Sequence, residues 1–358
     1  MHSNVRPSLG CPTHAPVAYF LFATIFLISC AALAHNPITR PLPGRVIVKM
    51  MPDYLRPRVY ALNSGNRVAP GTVLALHSSD GSILAEISVG VRPTDMAIAP
   101  TGDELYVINA GSGTISKIHL PSLEVVGERL ITTPGKYSSD TPLYLVAGYP
   151  DRLWYTDGAW GPQLYCLDFS AGPPRLVLDT GVNVHPGIGG MVLSRSGTNL
   201  YVWRQYGWHA GSLTSWVTRF AVLPDGSLAA MEDSFASGRR DPLDTPIFLD
   251  VAERWVFNKQ QMFSATNLAV CLNEFPENLY AISLDGSIAF GPTGVFHTSN
   301  GLPLTNFPFT ATVQTLSGDQ KRLFRYHAAE ASVVIYDTSI LGPVSGPVQH
   351  RHPRTERS

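Results

Sequence analysis

The stretch Pro93-Thr-Asp-Met-Ala-Ile-Ala-Pro-Thr-Gly-Asp-Glu-Leu-Tyr-Val-Ile-Asn109 decides the fold, because degraded copies of it recur along the chain. It predicts a strand, a tight turn at a glycine and a second strand. The segment Gly113-Thr-Ile-Ser-Lys-Ile-His-Leu120 that follows predicts a third strand. A repeat of roughly 40 to 50 residues built in this way is typical of a radial β-architecture.

Four further strand pairs keep the same order. They begin near Pro142, Pro186, Pro246 and Pro308 and end at Asp157, Arg204, Asn258 and Tyr326. Third strands are predicted at 115–120, 164–168, 216–220, 279–282 and 333–336, where apolar residues alternate or run together. Asp80-Gly81, Asp225-Gly226 and Asp285-Gly286 supply the positive φ angles of a tight turn into a fourth strand. Each unit is therefore a four-stranded antiparallel meander.

A meander with two apolar faces is stable only when it stacks against others around an axis. Six units can be traced, the first from Arg45 to Ile87 and the last ending near Ile340. A seventh would fit in the segments 230–246 or 290–308, and a strand exchanged between the two termini would close the ring. We therefore predict an all-β fold, a β-propeller of six to seven four-stranded antiparallel blades that spans residues 35–341.

The strand Leu105-Tyr-Val-Ile-Asn109, with Val89-Gly-Val-Arg-Pro93 before it and Gly113-Thr-Ile-Ser116 after it, resembles the YVTN β-propeller repeat family. That family is named for a Tyr-Val-Thr-Asn strand, and Ile108 stands here in place of the threonine. The resemblance is specific over residues 58–130. It implies a propeller exported to a bacterial or archaeal surface, used as a binding or structural module, and it transfers no catalytic residues to this chain.

The two ends of the chain predict an N-terminal export signal and a disordered C-terminal tail. Residues 1–34 have the pattern of a signal peptide, with an apolar run from Val17 to Leu33 and a small-x-small cleavage site ending at Ala34. An alternative interpretation is a lipoprotein signal, since Leu27-Ile-Ser-Cys30 resembles a lipobox in which Cys30 carries the lipid. Residues 342–358 are rich in Gly, Pro, His and Arg and predict a disordered tail.

The charge balance and the cysteine content of the chain limit the kinds of partner and of covalent cross-link that we expect. The chain of 358 residues has 26 basic and 27 acidic side chains, so it has no long-range field to attract nucleic acid. Only Cys166 and Cys271 remain after cleavage, which favours two reduced cysteines over a disulfide framework. We expect an exported monomer in the periplasm, on the cell surface or outside the cell, with a membrane contact only through a lipid on Cys30.

Four predicted second strands end in a short polar residue, namely Asn63, Asn109, Asp157 and Asn258, whereas two others end in Arg204 and Tyr326. The structural interpretation is an Asx-turn in which the side chain accepts a hydrogen bond from the following backbone. The functional alternative is a ring of oxygen ligands for a cation in the central channel, which would suit a lactonase-like hydrolase or lyase.

The loops after the second strands of units three, four and five are long and aromatic, and in a propeller they emerge on one face. We predict a ligand-binding surface there, formed by Tyr155, Asp157, Trp160, Arg204, Tyr206, Trp208, His209 and Lys259. Flat aromatic faces beside polar tips suit a sugar ring or a peptide. The alternative is structural, because Trp154 and Trp203 fall within strands and would pack between blades.

The sequence contains few of the residue patterns that indicate a catalytic site. The acidic and histidine residues are scattered without metal-ligand spacing, and no nucleophile elbow is present. Gly187-Ile-Gly-Gly190 predicts a close-packed strand rather than a nucleotide loop. The sequence thus favours a non-catalytic binding or scaffold module at the cell envelope, for a glycan, protein or peptide, with no cofactor, no metal and no catalytic residue.

Overall fold

A computed structural model describes residues 37–65, 68–131, 143–149, 151–156, 163–178, 186–206, 214–234, 246–250, 252–283 and 285–338. At residues 186, 187, 205, 206 and 214 it describes the backbone only. The predicted signal segment 1–34 with Cys30, and the predicted tail 342–358, lie outside the described residues. The described chain forms seven four-stranded antiparallel sheets, which are the seven blades of a β-propeller.

Blades 1 to 3 take their strands in chain order from the first strand to the fourth. Blade 1 contains β2 (Ile47–Pro52), β3 (Arg58–Asn63), β4 (Pro70–His77) and β5 (Ile83–Val91). Blade 2 contains β6 (Pro93–Ile98), β7 (Glu104–Asn109), β8 (Thr114–His119) and β9 (Glu124–Leu130). Blade 3 contains β10 (Leu145–Gly148), β11 (Arg152–Thr156), β12 (Leu164–Asp168) and β13 (Arg175–Leu178).

Blades 4 to 6 follow the same rule. Blade 4 contains β14 (Pro186–Leu193), β15 (Asn199–Tyr206), β16 (Thr214–Val222) and β17 (Leu228–Asp233). Blade 5 contains β18 (Ile247–Leu249), β19 (Trp255–Asn258), β20 (Gln261–Ser264) and β21 (Asn267–Glu274). Blade 6 contains β22 (Ala281–Ile282), β23 (Ile288–Phe290), β24 (Gly294–His297) and β25 (Pro303–Asn306).

Blade 7 joins the two ends of the described chain. It contains β26 (Gln314–Leu316), β27 (Arg322–His327), β28 (Ser332–Asp337) and, as its fourth strand, β1 (Ile38–Pro41). A short 3₁₀ helix, Ala328–Glu330, connects β27 to β28. The register of β1 on β28 runs from Ile38 opposite Ile335 to Pro41 opposite Ser332. The ring is therefore closed by a strand from the other end of the chain, a feature that the sequence had left open.

The prediction of six to seven blades is confirmed, with seven, but one blade was assigned wrongly. The segment 279–282, predicted as a third strand of unit five, contains β22, the first strand of blade 6. Asp285-Gly286 accordingly turns between first and second strands. The predicted inner strand at 308–313 is also wrong, because the first strand of blade 7 is β26. Blade 6 was missed because its strands are too short to give a periodic signal.

The core lies between the blades. The described residues form seven hydrophobic clusters, and each is shared by two neighbouring blades. Alternate residues of a second strand enter different clusters, as Tyr60 and Leu62 pack toward blade 2 while Val59 and Ala61 pack toward blade 7. This alternation follows from the pleat, which sends successive side chains to opposite faces. Each blade is therefore buried on both faces, as the meander argument predicts.

The antiparallel meander gives the ring two different faces. The turns from first to second and from third to fourth strands lie on one face, which we call the turn face. The connections from second to third strands, and from one blade to the next, lie on the other, which we call the loop face. No helix among the described residues is both long and apolar enough to cross a bilayer.

Candidate functional site

The loop face carries the longest connections of the molecule, and most of them are on blades 2 to 5, with one more, 307–313, between blades 6 and 7. Those between blades span 131–144, 179–185 and 234–246, and those within blades span 157–163 and 207–213. The turns on the opposite face are short, as at 53–57 or 99–103. Four predicted binding residues, Asp157, Trp160, Trp208 and His209, lie outside the described residues. Tyr206 is described by its backbone alone, paired with Pro186 and Thr214.

Five of the seven second strands place a strongly polar residue in an equivalent position at the loop face, while Tyr155 and Phe290 fill it in blades 3 and 6. Each of the five is opposite a residue at or near the start of the first strand in its blade and shares a blade face with residues that pack against the preceding blade. They are Asn63, Asn109, Arg204, Asn258 and Arg325. The predicted member Tyr326 is incorrect: its ring packs toward blade 1, and its hydroxyl donates to the carbonyl of Arg45 at 2.6 Å.

The asparagines of this set act differently from one another. Asn63 Oδ1 accepts hydrogen bonds from Val46 N at 2.9 Å and from Gly65 N at 3.3 Å, so the predicted Asx-type contact is present there. Asn109 instead donates Nδ2 to the hydroxyls of Thr114 and Ser116, and its Oδ1 is buried without a partner. Asn258 Oδ1 is also buried without a partner.

Tyr155, the predicted binding residue of blade 3, is fully buried. Its hydroxyl donates to the carbonyl of Ile131 at 3.1 Å, and its ring stacks on Tyr165 with centroids 5.6 Å apart. Ile131 is where the chain leaves β9 toward blade 3. Tyr155 therefore holds the chain where it leaves β9, and the prediction that it contacts a ligand is not supported, because its side chain is buried.

The indole of Trp203 lies between blades 4 and 5 beneath the loop face. We call this indole, together with that of Trp216 in blade 4, the floor. Its ring is buried, and the Lys259 ammonium lies 4.0 Å from its centroid. On the same indole, a Cβ added to Gly189 would lie 1.6 Å from a ring carbon, so only glycine fits there. This confirms the close packing predicted for 187–190 and the interblade role predicted for Trp203. Lys259 is also buried and has a φ of 55°, a left-handed conformation that costs about 1 kcal/mol in a non-glycine residue.

A second cation lies on an indole between blades 3 and 4. The Arg204 guanidinium is half-buried and lies 5.5 Å from the ring centroid of Trp216, its cross-strand neighbour. Burial lowers the pKa of Arg204, and the negative charge of Asp233 opposes that shift. Arg204 Nε and Trp216 Nε1 are both buried without hydrogen-bond partners. Cation–aromatic pairs of this kind are worth about 0.5 to 2 kcal/mol, depending on how dry the site is.

Buried polar atoms without partners are concentrated at the loop face. In the described part of the chain they include atoms of Asn109, Trp203, Arg204, Trp216, Asn258, Gln314, Arg325 and Ser332, all in the loop-face half of their strands. Others lie toward the turn face: Arg219 and Tyr336 in the turn-face half of their strands, and Gln320 in the turn between β26 and β27. Because a buried donor or acceptor without a partner costs about 1 to 3 kcal/mol, such a concentration calls for an occupant.

The inner strands offer one ion pair to the channel. Lys49 donates from Nζ to Asp95 Oδ1, and the same carboxylate accepts hydrogen bonds from Met96 N and Leu145 N. Asp95 thus links blades 1, 2 and 3. Within the described residues, no group of three or more His, Cys, Asp or Glu side chains could hold a metal ion. Asn63 and Asn109 are engaged within their own blades, and Asp157 is not described.

No protein-family profile matches the chain. No curated protein matches it in sequence either. Among solved structures, the chain is similar to the β-propeller domain of Cps50 (Swd1) from Myceliophteria thermophila, with a TM-score of 0.62, 10% identity, and coverage of 84% of this chain and 99% of that one. It is also similar to hydrazine synthase from Kuenenia stuttgartiensis, with a TM-score of 0.57, 13% identity, and coverage of 86% and 99%. At such identities these likenesses establish the propeller fold alone.

Proposed function

We propose that this protein is an exported, non-catalytic β-propeller of the YVTN type that binds a glycan or a peptide of the cell envelope. Its ligand lies on the loop face above blades 3 to 5, where the predicted residues Trp160, Trp208 and His209 belong to the connections over the described floor. The predicted export signal and the YVTN-like strand of blade 2 support export to the cell envelope.

One observation supports the site above all: most of the buried polar atoms that lack partners among the described residues lie in the loop-face half of their strands. On blades 4 and 5 these atoms accompany two cations seated on indoles, Arg204 on Trp216 and Lys259 on Trp203. A floor with rigid aromatic rings and fixed charges orients a ligand at a low entropic cost. Binding fits this arrangement, because the described part of the floor offers aromatic faces and cations that can contact a ligand.

The test replaces the aromatic groups above the floor. In the double variant Trp160→Ala/Trp208→Ala, retention on purified envelope material should fall at least tenfold, while the melting temperature stays within a few degrees of the native value. Tyr54→Ala is the matched control, since Tyr54 lies on the turn face with 59% of its surface exposed. Undiminished retention of the double variant, or an equal loss in the control, would contradict a loop-face ligand.

Export and the way the signal segment is processed are tested separately, by measuring the intact mass of the mature protein. Cleavage after Ala34 gives an unmodified chain that begins at His35, whereas lipidation gives a heavier chain that begins at Cys30 and partitions with membranes. A full-length chain that stays with the cytoplasmic fraction contradicts export in either form.

A further inference from the structure

The guanidinium of Arg325 is buried between blades 6 and 7, on the opposite side of the ring from the ligand proposed for blades 3 to 5. Arg325 lies in β27, opposite Gln314 of β26 and Val334 of β28. Its relative exposure is 0%. It is the blade 7 member of the equivalent polar positions at the loop face, and all the groups that contact it belong to the described residues.

The bonding of this guanidinium is incomplete. Nη2 donates to the carbonyl of Pro292 at 2.6 Å and to that of Phe309 at 3.3 Å. Cζ lies 3.4 Å from the ring centroid of Phe307 and 5.1 Å from that of Phe309. Nε and Nη1 have no hydrogen-bond partner among the described residues. Two of the three donor nitrogens of a buried cation are therefore left without an acceptor.

No carboxylate neutralises this charge. Arg325 takes part in none of the ion pairs found among the described residues. The negative charge of Glu277 interacts electrostatically with Arg325, but the Glu277 carboxylate accepts hydrogen bonds from Thr293 and from Gly294 N at 2.6 Å. Burial lowers the pKa of Arg325 to about 9, so the group is still a cation at neutral pH. A buried charge without a counter-ion is unfavourable for folding.

Other positions of the ring show that the fold does not require such a cation. Asn63 fills the equivalent position of blade 1 with a neutral amide that is hydrogen-bonded to the backbone. Arg219, another arginine with little exposure, pairs with Glu232 at 3.1 Å. Arg325 differs from both, because it retains charge and free donors where a neutral side chain would serve packing.

A further donor lies beside the guanidinium. The ring of Tyr336 is 5.3 Å from that of Phe307, the ring on which Arg325 is stacked. The Tyr336 hydroxyl is buried without a partner. Burial raises the pKa of this phenol, and the positive charge of Arg325 opposes that shift, so Tyr336 is a neutral donor at physiological pH. The junction thus holds one cation, one phenol and two aromatic rings.

The connection 307–313 covers this junction. Pro308 and Thr310 are exposed, whereas Phe309 is half-buried and stacks on the His327 ring with centroids 4.3 Å apart. The Phe309 carbonyl is also the longer of the two acceptors of Nη2. Phe309 of this connection thus contacts the guanidinium through both its carbonyl and its ring.

We propose that the junction of blades 6 and 7 is a binding site for an organic monocarboxylate. Its oxygens accept hydrogen bonds from the free donors of Arg325 and from the Tyr336 hydroxyl, and its apolar part lies against Phe307 and Phe309. One negative charge balances one buried cation, whereas a phosphate dianion would leave a net negative charge in an apolar junction. This site is independent of the ligand proposed for blades 3 to 5.

The experiment measures the melting temperature of the full chain against acetate, inorganic phosphate and chloride at equal ionic strength. In the native protein acetate should raise the melting temperature in proportion to the logarithm of its concentration once that exceeds the dissociation constant, as expected for a ligand that binds only the folded state. Arg175→Gln is the matched control, because it removes the same charge from an exposed residue on the turn face. This control should respond to acetate as the native protein does, while Arg325→Gln should lose the stabilisation by acetate.

Tyr336→Phe keeps the test valid if Arg325→Gln does not fold. It preserves the ring and removes one donor to a charged acceptor, so the acetate concentration needed for a given rise in melting temperature should be roughly tenfold higher. The proposal is overturned if acetate stabilises the native protein no more than chloride does at equal ionic strength, which would leave water as the occupant. It is also overturned if Arg325→Gln responds like the control, or if phosphate stabilises more than acetate.

Discussion

The turn face and the loop face of this propeller are built from the same strands but hold together in different ways. On the turn face, aspartates bond the turns locally: Asp80 accepts from Ser82 N at 3.0 Å, Asp225 from Ser227 N at 3.0 Å and Asp285 from Ser287 N at 2.9 Å. At the loop face, buried polar atoms face neighbouring blades without partners. Among the described residues, most of the buried polar atoms without partners therefore belong to the loop-face side of the blades, and fewer belong to the turn-face side.

The turn face also links successive blades with charged side chains. Contacts that cross a blade junction there are Arg40 to Asp80, Arg56 to Asp103, Lys117 to Asp151, Arg175 to Asp225, Glu253 to the Arg195 amide, and Arg254 to the Asp285 carbonyl. Each exposed pair is worth at most about 1 kcal/mol, but together they restrain neighbouring blades. The difference teaches that the charged links between neighbouring blades are concentrated on the face with short turns, and the long connections on the other face.

The largest expected difference in stability between the two faces comes from a steric clash. Gly189→Ala would place a Cβ 1.6 Å from the Trp203 ring at the loop-face floor, so we expect a loss of about 3 kcal/mol or more in the free energy of unfolding. Gly197→Ala, on the turn face of the same blade, meets open space and strains only a φ of 72°, at a cost of about 1 kcal/mol. Denaturant unfolding of both variants measures the difference. Equal losses would mean that the indole is not a fixed floor.

The next effect contrasts two polar residues of blade 5. Asp250 is buried on the turn face and accepts hydrogen bonds from Arg254 N at 2.6 Å and Trp255 N at 2.8 Å. Asp250→Ala leaves those donors unsatisfied, and we expect a loss of about 2 to 4 kcal/mol. Asn258→Ala on the loop face removes an Oδ1 that has no partner and should cost about 1 kcal/mol or less. Calorimetry of the pair tests the contrast, and a reversed order would refute the division of roles between the faces.

The smallest effect is a dependence on pH that belongs to the turn face. Hydrogen bonds from Ser82 lower the pKa of Asp80, and those from Ser227 lower that of Asp225 to about 2. A carboxyl with a lowered folded-state pKa stabilises the fold above its ordinary pKa, and this contribution is lost as the pH falls toward the folded value. The melting temperature should therefore decline between about pH 4 and pH 2.

The variant Asp80→Asn/Asp225→Asn separates this effect from general acid unfolding. It keeps an oxygen acceptor in each turn but removes the titration, so its melting temperature should fall less steeply with acid than that of the native protein. Parallel curves for the two proteins would show that the turn aspartates are not the groups responsible.

Much of the fold could be predicted from the sequence because strand pairs with long alternating runs carry their own signal. The second strand Arg58–Asn63 and the turn at Asp225-Gly226 coincide with the structure. Blade 6 escaped because β22 has only 2 residues, and so short a strand is stabilised by its neighbours rather than by its own pattern. The pairing of β1 with β28 joins residues too far apart in the chain for any local signal.

The candidate site was predicted in part. The aromatic loops after the second strands indicated the loop face, and Arg204 and Lys259 lie at its floor, each on an indole. Arg325 was not predicted, because in Arg322-Leu-Phe-Arg-Tyr326 it reads as one polar residue of an alternating strand. Whether its donors have acceptors depends on connections from blade 6, which no pattern within the strand can show.

The sequence by itself determined the repeating meander and the identity of its turns, since β-strand alternation and the φ angles of Asp-Gly depend on nearby residues. Only the tertiary structure decided the number of blades, the closing strand and which buried groups lack partners. These features depend on contacts between residues far apart in the chain, where burial removes water from polar atoms and every donor must find an acceptor in another blade.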